Sequence, residues 1–245
     1  MIDALNFAGT SALVVGGSSG IGNGIAQAFR ACGARVHVWG TRADRAAYSG
    51  EVGSDLEGLG YTGVDVSDPT AIDAAPDPFD ALDVLVLCQG TVLYQRREFE
   101  REGWRAIMRV NLDSVMDCAR RFKPQLAARG GNLIIVSSIS GLSGAIGNPA
   151  YGASKAAAIN LTKSLAQAWA PEGVRVNGLA PGLVDTKLTK ITTENPKRRA
   201  GALAAIPMKR MGLPADMAGA ALFLASPLAA YVCGHTLVVD GGLSL

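Results

Sequence analysis

Short apolar runs and helix-spaced apolar positions alternate along this chain almost from its first residue. Ser11 to Val15 is a short apolar run that ends in glycines. Ile21 to Ala31 then sets Ile21, Ile25, Ala28 and Phe29 on one helical face. Arg35 to Trp39 predicts a second strand, and the LVL-rich stretch Asp83 to Cys88 a strong third. Trp104 to Ala128 predicts a long helix and Asn132 to Ser137 a strand. Tyr151 to Trp169 predicts a helix that buries Ala158, Leu161, Leu165 and Trp169. Val174 to Leu179 and Thr236 to Val239 complete the strands, while the glycine- and proline-rich stretch Ala43 to Leu82 offers only Tyr61 to Val64. Strands that stay apolar are buried on both faces. Strand–helix alternation implies parallel pairing through right-handed crossovers. The expected fold class is α/β, a doubly wound parallel sheet made by residues 1–245 as a single domain.

A chain of 245 residues suits one such domain. Apolar residues make up 49% of it and charged residues 18%, which supplies a large core and argues against disorder. The net charge of +2 points to neither nucleic acid nor an anionic membrane as partner. Cys32, Cys88, Cys118 and Cys233 are too far apart for a CxxC motif, and His37 and His235 are the only histidines, so a metal site is poorly supplied with ligands. No secretory leader pattern and no uncharged apolar run of about 18 residues is visible, so the expectation is a cytoplasmic protein with reduced cysteines.

The first chemical signal is VVGGSSGIG, residues 14–22. Gly16, Gly20 and Gly22 leave a strand and open a helix. The first allows a tight turn, the second lets backbone approach a pyrophosphate, and the third lets helix pack on strand. The helix start offers free N–H groups to the anion. In a strand–helix alternation this makes a dinucleotide the expected ligand and the sheet a Rossmann-type one. The second signal is Tyr151 and Lys155, four apart and so on one helical face, with Ser138 at the end of the strand NLIIVSS. Strand carboxyl ends are where open α/β sheets bind ligands. A free phenol titrates near 10. A nearby ammonium and a cationic nicotinamide would favour the phenolate, and Ser138 could hold a substrate oxygen while the tyrosine exchanges its proton.

In motif order and over its whole length, the chain resembles the short-chain dehydrogenase/reductase family. The glycine motif matches at Gly16, Gly20 and Gly22, an Asp-Val pair at Asp65 and Val66, and the helical Asn at Asn111 in VNL. The serine and YxxxK match Ser138, Tyr151 and Lys155; PGxxxT matches Pro181, Gly182 and Thr186; VDGG matches Val239 to Gly242. The resemblance implies a tetrad of Asn111, Ser138, Tyr151 and Lys155, with Asn111 helping to hold a water. It implies a nicotinamide cofactor held by Gly16, Ser18, Ser19, Gly20, Ile21, Gly22, Thr41, Arg42, Asp65, Val66, Gly90, Tyr151, Lys155, Pro181, Gly182, Val184 and Thr186. It also implies a substrate lid at about 186–208 and a homodimer or homotetramer built through the two long helices.

The chain departs from the pattern in two places. Val15 replaces the usual Thr before the first glycine, and Leu87, Cys88, Gln89 and Gly90 stand where NNAG is usual, which puts hydrogen bonds on the adenosine side in doubt. At the end of RVHVWGTR, Gly40 stands where NAD-preferring relatives carry an acid, followed by Thr41 and Arg42; NADP(H) is therefore expected over NAD(H). Ile139, Leu142, Ala145, Ile146 and Leu188 suggest an apolar pocket for a small ketone or alcohol. Arg96, Arg97, Arg101 and Arg105 read as a solvated helix face. The leading expectation is an oxidoreductase that interconverts a secondary alcohol and a ketone. One alternative is a 3-oxoacyl-acyl-carrier-protein reductase, for which Arg129 supplies a basic contact while Glu172 places acid where a second base would help. Another is a cofactor-binding regulatory protein without catalysis, against which the intact Ser138, Tyr151 and Lys155 argue.

Overall fold

The computed structural model describes residues 2–245. Seven parallel strands form one sheet: β1 (Ser11–Val15), β2 (Arg35–Gly40), β3 (Gly60–Gly63), β4 (Val84–Leu87), β5 (Asn132–Val136), β6 (Arg175–Pro181) and β7 (Thr236–Val239). Their order is β3-β2-β1-β4-β5-β6-β7. The helices are α1 (Gly20–Ala31), α2 (Pro69–Ala74), α3 (Arg101–Met108), α4 (Ser114–Ala127), α5 (Pro149–Trp169), α6 (Lys190–Thr193), α7 (Pro196–Ala205) and α8 (Pro214–Ala225).

Side chains alternate across the sheet, and both faces are covered. Val14, Val38 and Val86 pack with Ile25 and Phe29 of α1 and Met217 and Ala221 of α8. Leu13, Val15, Leu85 and Leu87 turn the other way, onto Phe122 and Leu126 of α4 and Leu165 and Trp169 of α5. This is why the strands read as unbroken apolar runs rather than as alternation. Each fully buried Leu or Phe contributes about 2 kcal/mol of transfer free energy.

The chain first builds outward from β1 through β2 to β3, then returns to lay β4 on the other side of β1. The connections leaving β1 and β4 therefore diverge and open a crevice at the carboxyl edge of the sheet, the ligand site of doubly wound folds.

Three elements differ from the sequence expectation. The helix expected from Trp104 begins at Arg101 and carries a π turn over Arg109–Asp113 between α3 and α4; π turns insert one residue and gather at functional sites, and this one carries Asn111. No full helix links β2 to β3: a short 3₁₀ turn over Arg45–Tyr48 and a loop do so, tied to α1 by Asn23 Nδ2 to the Asp55 carbonyl at 2.6 Å and by Gly20 N–H to the Gly53 carbonyl at 2.8 Å. Helix α8, not foreseen as an element, covers one face. The stretch at 186–208 folds as a 3₁₀ turn over Lys187–Thr189 followed by α6 and α7. Among the described residues, no helix is long and apolar enough to cross a membrane.

Candidate active site

The crevice is a cavity of about 600 Å³ at the carboxyl edge. Its wall includes Gly16, Ser18, Ser19, Gly20, Ile21, Gly22, Thr41, Arg42, Asp65, Val66, Gly90, Ser138, Tyr151, Lys155, Pro181, Gly182, Val184 and Thr186. Residues scattered over most of the chain thus meet around one space, of the size expected for a cofactor plus a small substrate.

The glycine turn is built by close approach. A Cβ on Gly22 would lie 2.3 Å from the Gly16 carbonyl oxygen, so α1 can start against the turn only with hydrogen there. Gly16 has φ +77° and passes so near the β4 connection that a Cβ would lie 2.8 Å from the Gln89 nitrogen. The start of α1 accordingly lines the cavity at Gly20, Ile21 and Gly22, the end of a helix that favours an anion.

Tyr151 and Lys155 occupy successive turns of α5, with the Lys155 ammonium 5.8 Å from the centre of the Tyr151 ring. Lys155 is buried, its Nζ donates to the Val136 carbonyl at 3.0 Å, and burial pushes its pKa down to about 8. Burial likewise raises the Tyr151 phenol, opposed by a hydrogen bond with Ser138. Burial is the largest influence on the phenol in the protein without cofactor. Ser138 sits just past β5, its hydroxyl also accepting from the Ser140 N–H at 3.1 Å.

Asn111 does not touch Lys155 directly. Its Oδ1 accepts from Thr91 N–H at 2.8 Å, and its Nδ2 donates to the Thr91 carbonyl at 2.9 Å and to Ser154 Oγ at 3.2 Å. These bonds anchor the connection after β4 to α5. Gly90 lies between: a Cβ there would stand 3.4 Å from Lys155 Nζ and 3.7 Å from Asn111 Oδ1.

The unusual Leu87-Cys88-Gln89-Gly90 segment divides its duties. Leu87 packs in the core, whereas Cys88 faces the cavity, with its thiol pushed up to about 12 by burial. Gln89 donates from Nε2 to Ser114 Oγ at 3.1 Å, and its buried Oε1 has no donor among the described residues. A cavity wall with an orphaned acceptor suits a polar occupant.

Sequence reasoning missed several wall residues, among them Tyr48, Thr91, Lys187 and Thr189. Tyr48 comes from the stretch with the weakest periodicity. It stacks under the Arg42 guanidinium, 4.4 Å from its ring centre, and its hydroxyl accepts the Arg42 N–H at 3.3 Å. Arg42 also pairs with Glu51 at 2.5 Å, and Lys187 pairs with the same carboxylate. Leu142 and Ile146 face solvent rather than the cavity, leaving Leu188 as the apolar wall residue of that expected set. Arg96 and Arg97 belong to a tight turn before α3, not to a helix face. Arg129 pairs with Asp83 and Glu172 with Lys123, both at the edge of the sheet opposite their own chain's Tyr151.

A dinucleotide crevice joined to a serine, tyrosine and lysine cluster defines a nicotinamide-dependent oxidoreductase. Residues 15–244 match the family model described as enoyl-(acyl carrier protein) reductase. The chain is 38% identical to 2-dehydro-3-deoxy-D-gluconate 5-dehydrogenase of Bacillus subtilis, covering 98% of this chain and 96% of that one. It is 35% identical to a 3-oxoacyl-acyl-carrier-protein reductase of Chlamydia trachomatis, over 96% and 97% respectively. Its fold matches the crystal structure of a gluconate 5-dehydrogenase from Burkholderia cenocepacia in complex with NADP and tartrate, with a TM-score of 0.87, 31% identity, and coverage of 99% and 98%. The chain belongs to the short-chain dehydrogenase/reductase family, and it is an oxidoreductase that interconverts an alcohol and a ketone with a nicotinamide cofactor.

Proposed function

We propose that the protein is an NADP(H)-preferring reductase or dehydrogenase of a small ketone or secondary alcohol, with Tyr151 as the proton carrier. The nicotinamide supplies the hydride. The chain's own part is proton transfer and placement: Tyr151 gives its hydroxyl proton to the developing alkoxide, Ser138 holds the same oxygen, and Lys155 and Asn111 support the tyrosine's side of the site.

The NADP(H) preference rests on one observation above all. No acid stands at Gly40 to bond a ribose and repel a 2′-phosphate, and a Cβ there would lie 2.6 Å from Ser18 Oγ and 2.8 Å from Tyr48 Oη, so any side chain would have to displace both. Beyond it, Arg42 and Lys187 set two cations against the single Glu51 carboxylate, a net positive end suited to a phosphate. NADP in the Burkholderia relative is in keeping with this. Kinetics with both cofactors test it. NADPH should exceed NADH in kcat/KM by about 10-fold, and Arg42→Ala should lose about 10-fold with NADPH alone, the worth of a charge-assisted hydrogen bond. NADH matching NADPH in wild type would overturn the preference.

Among substrates, similarity to the Bacillus and Burkholderia enzymes favours a polyhydroxy acid or its ketone, and similarity to the Chlamydia enzyme favours a carrier-bound 3-oxoacyl group. With Arg129 engaged by Asp83, the acyl reading draws its support from sequence similarity. Turnover of NADPH against sugar-acid ketones, simple ketones and acyl thioesters separates the readings.

We further infer a homodimer or homotetramer built on the α4 and α5 faces, where Met116 and nearby Trp104 leave apolar surface exposed. Light scattering at micromolar concentration should give a mass of two or four chains; monomer alone would refute it. Cys32, Cys88, Cys118 and Cys233 are unpaired, in keeping with a reducing, cytoplasmic setting.

A further inference from the structure

Glu98 is a carboxylate with no solvent exposure, and its bonds all lead to the active site. It sits in a 3₁₀ turn over Arg97–Phe99, between the β4 connection and α3. Oε2 accepts the Tyr151 backbone N–H at 2.8 Å. Oε1 accepts the Leu93 N–H at 2.9 Å and Asn148 Nδ2 at 3.1 Å. No lysine or arginine pairs with it among the described residues, so hydrogen bonds alone stabilise the buried charge.

Why the carboxylate stands there follows from α5. The first N–H groups of a helix have no partners of their own, and Tyr151 is the third residue of α5. The residue that would ordinarily cap it, Asn148, makes no cap bond and instead donates its side chain to the Leu93 carbonyl at 2.8 Å and to Glu98. Glu98 takes over the cap from 53 residues away, and its charge suits the positive end of the helix dipole. The turn is held in place at a cost. Gln95 and Arg96 both have φ +60°, a left-handed conformation that non-glycine residues seldom adopt, and α3 packs so closely that a Cβ on Gly103 would lie 2.0 Å from the Arg97 carbonyl oxygen. Strain of this kind persists where the surroundings over-determine it, commonly at functional sites.

The same carboxylate reaches the rest of the pocket. Leu93 is followed by Tyr94, whose hydroxyl donates to the Leu188 carbonyl at 2.7 Å in the stretch over the cavity. Glu98 therefore joins the start of the catalytic helix to the loop after β4, and through Tyr94 to the segment at Lys187–Thr189.

We propose that Glu98 is a positioning residue for the reaction: it fixes the Tyr151 backbone against the substrate-side loop and sets the electrostatic field in which the phenol exchanges its proton. This rests on Tyr151 as proton carrier. Tyr151 is faced by Ser138 after β5, Cys88 after β4, Tyr94 and Glu98 from the β4–α3 connection, and Lys155 on its own helix. Burial is the largest influence on the phenol and raises it, the hydrogen bond with Ser138 opposes this, and Cys88, Tyr94 and Glu98 add to the upward shift, Glu98 through its carboxylate.

Glu98→Gln keeps the outline and removes the charge, and its amide –NH2, which cannot accept, also gives up the N–H bond or bonds of the oxygen it replaces. In alcohol oxidation, where Tyr151 acts as base, the acid limb of the kcat/KM profile should move to lower pH. The same variant should lose about 10-fold in kcat while its KM for the cofactor stays within about twofold, the split expected when a reacting group is displaced but cofactor contacts are intact. Asn148→Ala, which keeps the charge but loosens one tie, should lower kcat by about threefold with the acid limb unmoved. Circular dichroism and melting curves accompany both. The proposal is overturned if Glu98→Gln retains wild-type kcat and profile, or if kcat, cofactor KM and melting temperature fall together with no movement of the acid limb. Should Glu98→Gln not fold, wild-type kcat in Asn148→Ala overturns it. Failure of the tyrosine reading looks different: Tyr151→Phe itself would then remain active.

Discussion

Tyr151→Phe should lower turnover by at least about 100-fold, the contribution of a positioned general acid, while leaving the fold and cofactor affinity in place. The substitution removes one oxygen atom and keeps the ring. Ser138 retains its bond from the Ser140 N–H, and the Tyr151 backbone N–H still reaches Glu98. Nothing in the glycine turn or at Arg42 depends on the phenol. Burial holds that phenol above its ordinary pKa, so at neutral pH it stands protonated, the form that carbonyl reduction requires. Steady-state reduction rates, paired with a fluorescence titration of NADPH, check both halves. Retention of most of the activity would sink the assignment; loss of cofactor binding along with activity would show that the hydroxyl holds the site together rather than supplying a proton.

How legible all this was in the sequence depended on the range of the forces involved. The strand at Ser11–Val15 could be read to the residue, because burial on both faces leaves a continuous apolar run, and Thr236–Val239, only partly buried at the edge of the sheet, could be read from its β-branched apolar residues. Tyr151 and Lys155 were legible because a helix turns four residues of spacing into adjacency, and the glycines because a turn under close approach tolerates nothing larger. What escaped was set by contacts distant in sequence. Tyr48 reaches the cavity from a glycine-rich stretch with no periodicity. The π turn at Arg109–Asp113 leaves no mark on hydrophobic spacing, since one inserted residue shifts the register only locally. Glu98 reads as one charge in REFERE until folding sets it against Tyr151, and the partnership of Glu51 with both Arg42 and Lys187 is equally invisible. The apolar guess at Leu142 and Ile146 failed for the complementary reason: residue type says that a side chain can line a pocket, while a loop's path decides whether it does.

Lys155→Met should give an enzyme at least about 100-fold slower and an apoprotein more stable than wild type at neutral pH. Lys155 is buried, and among the described residues its ammonium donates one hydrogen bond, to the Val136 carbonyl at 3.0 Å. Burial brings its pKa from 10.5 down to about 8. That depression corresponds to roughly 3 kcal/mol held against folding whenever the lysine is charged. Methionine of similar length fills the same space without the charge, at a cost of about 1 kcal/mol for the lost hydrogen bond, so a gain on the order of 2 kcal/mol remains. The pH dependence carries the sign. Between about pH 8 and pH 10.5 the unfolded chain holds this proton more tightly than the folded one, so raising the pH through that window stabilises wild type through Lys155. The variant lacks the group, and its advantage should shrink from pH 7 to pH 10. Melting curves of both proteins at the two values measure the gap. A gap that stays constant, or a variant less stable at pH 7, would refute the idea that Lys155 is retained for the reaction at the expense of stability.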